Sequence, residues 1–186
     1  DEIINGATES INNSIDNFTV LNIIKGDAGG RSGGSDYTYE KLPRVDVNNS
    51  NELGKLYNTI LNSDGLTDKD GKVVKGAKGK LLNDIQIKLF NLKSSEPISE
   101  DITSLLPNIK KAITKVNISR ERGEQISPEK FAKEDEINQQ HFMLGLNYIK
   151  DADPGTYKNI LSNLEKKQEI PDTNFRYLAN IGQDLK

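Results

Sequence analysis

The residue best suited to chemistry is His141, the one histidine in the chain. Its imidazole titrates near physiological pH and can act as base, acid or metal ligand. Phe142 and Met143 follow it on a stretch of helical periodicity, and one turn away stand Ile137, Asn138, Leu144 and Gly145. None of these is a usual metal ligand, so a helical metal pair is not expected. A Ser-His-Asp arrangement assembles across distant sequence, but no strand-turn-helix nucleophile pattern accompanies this histidine. Glu134, Asp135, Glu136, Asp151 and Asp153 are the carboxylates that would pair with it for acid–base work. Acids this frequent usually sit on solvated faces, and Asp153 precedes Pro154, where a helix cap belongs. The reading carried forward is a histidine at the edge of a core. A small toxin or hydrolase using His141 with nearby carboxylates is the alternative.

Two loops have compositions close to phosphate- or cation-binding turns. The run Gly26–Ser35 follows a β-branched segment, the position of a phosphate-binding turn. Neither G-x-G-x-x-G nor G-x-x-x-x-G-K-[ST] occurs there, and the composition is that of a flexible tether. In Gly71–Lys78 (GKVVKGAK), Ala77 occupies the place of a phosphate-loop lysine. Asp68-Lys69-Asp70-Gly71 resembles the middle of a calcium loop. Aligning its glycine puts Leu66 and Ala77 where the first and last oxygen donors belong, which leaves a turn as the reading. Arg120-Glu121-Arg122 has the charge to hold a phosphate, but its place at a helix C-terminus accounts for it. The chain has no cysteine, which removes disulfides, thiolate nucleophiles and Cys-based metal sites. No catalytic residue, metal or cofactor is expected.

The remaining cluster is electrostatic. Lys69, Lys72, Lys75, Lys78 and Lys80 face one acid, Asp70. On a protruding hairpin they form a positive tip able to meet an acidic partner, RNA or lipid headgroups. No aromatic residue is interleaved, which argues against single-stranded nucleic acid. The bland reading is a solvated loop. These five lysines are the candidate binding residues.

The elements that position them follow from periodicity. Ile3, Ala7, Ile11 and Ile15 make a narrow helical stripe, and Phe18–Ile24 (FTVLNII) reads as a strand. Tyr37–Val47 looks extended. Helices follow with apolar positions Leu53, Leu56, Tyr57, Ile60 and Leu61, and then Leu82, Ile85, Leu89 and Leu92. Between these two, residues 67–74 read as a turn or small hairpin. A short helical turn holds Ile102 and Leu105, and a longer helix holds Ile109, Ala112, Ile113 and Val116. Ser127-Pro128, Asp153-Pro154 and Asp172 open the last three helices. The predicted fold is mainly α: an irregular bundle of about six helices over residues 36–186, with a small β-hairpin or extended segment. Residues 1–35 form an N-terminal arm with a Gly/Ser-rich linker. No fixed period survives, so a solenoid is not expected.

Composition sets the outer limits. The chain has 186 residues, net charge −3 and 34% hydrophobic residues. Its near-balanced charge gives no overall reason to expect nucleic acid or an anionic membrane as partner. No stretch approaches the ~18 apolar residues of a membrane span, and the first residues show no signal peptide. Abundant lysine, asparagine and isoleucine suggest AT-rich coding. The expected function is a soluble, non-enzymatic protein-interaction module. It fits a secreted bacterial or viral virulence protein acting on a host or secretion-apparatus partner. The other alternative is a structural assembly subunit that self-associates through its N-terminal arm, FTVLNII pairing with a neighbour's sheet edge.

Overall fold

The computed structural model describes residues 1–24, 36–120 and 127–185. The Gly/Ser-rich run and the Arg122-Gly123 helix stop lie outside the described residues. Among those described the chain is about 70% helical, with eight helices and a small three-stranded antiparallel sheet. The order is α1 (Glu2–Asn17), β1 (Thr19–Ile24), β2 (Asp36–Lys41), α2 (Ser50–Leu61), β3 (Gly65–Thr67), α3 (Ala77–Ser95), α4 (Glu100–Thr103), α5 (Leu106–Arg120), α6 (Pro128–Ala152), α7 (Pro154–Glu165) and α8 (Asp172–Leu185). The mainly α class follows from this. Contacts divide the chain into two compact units, residues 1–92 and 93–186. The arm boundary expected at residue 35 falls inside the first.

In the first unit α1 opens where the Asp1 carboxylate accepts from the Ile3 amide at 3.0 Å. Ala7 and Ile11 are buried, Ile11 completely. Ile3, the first residue of the expected stripe, is exposed. The Ser10 hydroxyl donates to Asp84 of α3 at 2.6 Å. FTVLNII forms a strand from Thr19 onward, and β1 is the centre of the sheet, in the order β2-β1-β3. Leu21 stands opposite Tyr39 on one side and Gly65 on the other. Pairing of β2 stops at Lys41, two residues short of Pro43, which has no amide hydrogen to give a ladder. Asn49 caps α2 by accepting from the Glu52 amide at 3.1 Å, and Leu53, Leu56 and Ile60 face inward. In α3 the buried row is Leu81, Ile85 and Leu89, with Leu82 and Leu92 only part-buried. The spacing of four selects Leu81, one residue before the expected start.

The described elements of the second unit are all helices. The Ser127 hydroxyl caps α6 by accepting from the Lys130 amide at 3.2 Å. Asp153 caps α7 by accepting from the Thr156 amide at 3.3 Å. Asp172, expected to cap the last helix, is instead its first residue, and its carboxylate meets Arg176 one turn on at 2.8 Å. Helices α6 and α8 approach until their backbones touch. A Cβ on Gly145 would lie 2.0 Å from the Leu178 carbonyl oxygen, and one on Gly182 would lie 1.8 Å from that of His141. Glycine alone fits at both crossings. Phe142 and Phe175 stack beside them with centroids 6.2 Å apart. No described helix is long and apolar enough to cross a membrane.

Candidate functional site

The chain between β3 and α3 doubles back as a small hairpin. Thr67 pairs with Val73. The Asp68 amide donates to the Lys72 carbonyl at 2.9 Å, and the Val74 amide donates to the Leu66 carbonyl at 2.9 Å. The turn is built by its own first residue: the Asp68 carboxylate accepts from the amides of Asp70 at 2.9 Å and Lys72 at 3.0 Å. Gly71 takes φ +79°, a left-handed conformation that glycine adopts without strain. The carboxylate that suggested a calcium loop is thus engaged by backbone amides. Among the described residues no three His, Asp or Glu side chains group to hold a metal ion.

The five lysines separate into two sets. Lys78 reaches back to donate to the Ser63 carbonyl at 2.7 Å, just beyond the end of α2. Lys80 donates to the Ser10 hydroxyl at 2.8 Å and lies 3.6 Å from Asp84. These two tie α2 and α1 to α3. Lys69, Lys72 and Lys75 are exposed and have no ion pair or side-chain hydrogen bond among the described residues. Val73 stands among them with 59% of its surface exposed. Lys75 also lines a shallow hollow of about 620 Å³, whose other wall is the Ser10, Asn13 and Asn17 face of α1. The hairpin therefore presents three free cations around one exposed apolar side chain, on a turn fixed by internal hydrogen bonds.

The residues considered for catalysis are not gathered in this way. His141 is half-buried on α6, where its backbone meets Gly182. Asp135 accepts from Thr114 at 2.7 Å, Asn117 at 2.5 Å and Gln139 at 3.1 Å, which ties α5 to α6. Asp153 is engaged at the α7 cap. Asp151 is buried and forms an ion pair with Lys93, which also meets Glu96 at 2.5 Å. Beside this group burial pushes the Tyr157 phenol above its ordinary value, with the Ser99 hydroxyl acting against the shift and Asp101 and Asp151 adding to it.

Sequence reasoning missed the Lys93–Asp151 pair. The available signal was spacing: Lys93 continues the row Leu81, Ile85, Leu89 at intervals of four. It also missed the crossing of α6 on α8, signalled only by single glycines at 145 and 182 within apolar helix faces.

Fold and site together define a mainly α protein with a small antiparallel sheet and a basic hairpin beside it. No known protein family, curated protein or solved structure matches the chain.

Proposed function

We propose that this chain is a non-enzymatic binding protein whose basic hairpin docks an acidic segment of a protein partner. The observation that carries the reading is the set of Lys69, Lys72 and Lys75, unpaired among the described residues, around the exposed Val73. Three cations steer an acidic partner and set its orientation, while an apolar centre adds contact area. The turn held by Asp68 lowers the ordering cost of binding, because the loop is already in one shape. Single-stranded nucleic acid is disfavoured: residues 65–80 contain no aromatic side chain on which a base would stack. A secreted protein meeting a host or secretion-apparatus surface is the setting we propose; a cysteine-free chain folds there without oxidation, as it does equally in a reducing compartment.

The test uses the full chain and three labelled probes: a short peptide of alternating glutamate and leucine, polyuridylate, and phosphatidylglycerol vesicles. The peptide should bind more tightly than the other two. Its affinity should fall with added salt and drop at least about tenfold in the Lys69→Glu/Lys72→Glu/Lys75→Glu variant. Tighter binding of polyuridylate or of vesicles, or a peptide affinity unchanged by the triple substitution, overturns the reading.

A further inference from the structure

We infer that the unit formed by residues 93–186 carries a binding groove for an apolar organic anion, separate from the hairpin. The groove runs between α5 and the turn that joins α7 to α8, and has a volume of about 680 Å³. That is the size of a pocket for a small organic molecule. Its floor is apolar, from Ala112 and Val116 on α5 with Leu164 and Ile170 opposite. The Asn108 amide donates to the Leu164 carbonyl at 2.8 Å and holds the walls in register.

The rim selects the charge of the occupant. Its two carboxylates are already neutralised. Glu169 lies 2.5 Å from Lys115, whose ammonium holds that carboxyl below its ordinary value. Asp172 lies 2.8 Å from Arg176. The rim charges left without a partner among the described residues are both positive, Lys111 and Lys167. Lys167 is also the one described non-glycine residue with positive φ, at +56°. It sits one residue past Lys166, the C-cap of α7, in a closing turn where its amide donates to Leu164 and that of Gln168 donates to Asn163. Such a turn closes many helices, with glycine the usual residue at its left-handed position. Here it keeps an ammonium at the mouth of an apolar hollow. An aliphatic or aromatic body on the floor with a carboxylate, sulfonate or phosphate ester head between Lys111 and Lys167 matches both features.

The test is titration of the full chain with decanoate below its micellar concentration, alongside the neutral decanol and the cationic decyltrimethylammonium. Decanoate should bind at least about tenfold more tightly than either, with amide shifts confined to residues 108–116 and 164–176. Lys111→Gln/Lys167→Gln should bring decanoate down to the affinity of decanol. Ala112→Trp, which fills the floor and leaves both lysines, should abolish all binding, with the fold of each variant checked by circular dichroism. The hairpin variant with Lys69, Lys72 and Lys75 reversed should bind decanoate as the parent does, so failure of one site is distinguishable from failure of the other. Equal binding of the three probes overturns the inference. So do shifts centred elsewhere, or an affinity indifferent to the lysine pair or to Ala112→Trp.

Discussion

Lys167 and Tyr157 are two residues whose surroundings work against their ordinary behaviour, and each gives a measurable consequence. A left-handed backbone costs a residue with a Cβ roughly 1–2 kcal/mol relative to glycine. Lys167→Gly should therefore stabilise the chain by about 1 kcal/mol, read as a higher denaturation midpoint, while weakening decanoate binding. A midpoint that stays or falls would mean that the lysine side chain contributes more contact than the backbone loses. For Tyr157 the folded state raises the phenol above its ordinary value of 10.0, chiefly through burial. The neutral phenol is the favoured form in the fold. Its contribution to stability is complete below pH 10 and is lost as pH rises through the raised value. Denaturant midpoints of a Tyr157→Phe chain should accordingly fall less steeply above pH 10 than those of the parent. Identical slopes would count against the burial account.

Elements were legible wherever a cap and a stripe coincided. The stripe Leu53, Leu56 and Ile60 marks α2 from sequence, and Ser127-Pro128 and Asp153-Pro154 mark the starts of α6 and α7. Caps and periodicity are local, so a sequence reader sees them. What brings elements together is not local. FTVLNII is recognisable as a strand, but β3, its partner on one side, is three residues long and about forty residues away, with a glycine at its start. The close contact of α6 with α8 depends on two glycines whose importance appears only when the facing backbone is in view. Gly182→Ala places a methyl group 1.8 Å from a carbonyl oxygen, and backbone on both sides cannot yield as a flexible side chain would. A loss of about 3 kcal/mol or more is expected in chemical denaturation, at the upper end for overpacking. A loss below ~1 kcal/mol would show that the helices separate at little cost. The N-terminal helix makes a second test at this scale. Removing residues 1–17 uncovers the face that Ala7 and Ile11 close, and a buried isoleucine alone is worth ~1.5–3 kcal/mol. The melting temperature should drop by several degrees. An unchanged one would make α1 an appendage free for other partners.

For the molecule as a whole, apolar periodicity and helix caps foretold a mainly α chain, and the candidate site was legible only in part. The five lysines are conspicuous in sequence because they are consecutive in effect. Sequence does not reveal that Lys78 and Lys80 are spent on Ser63, Ser10 and Asp84, since those partners lie on other elements. What remains free is smaller and better defined: Lys69, Lys72 and Lys75 around Val73. A net charge of −3 over the chain makes this local excess of positive charge a feature of position, not of composition. An acidic partner should land on this hairpin and nowhere else. The deciding measurement is an amide-shift map of the full chain titrated with the glutamate–leucine peptide. Shifts centred on residues 68–75, abolished by reversing the three lysines, are the predicted result. Shifts centred elsewhere, or a map that survives the triple reversal, would contradict it.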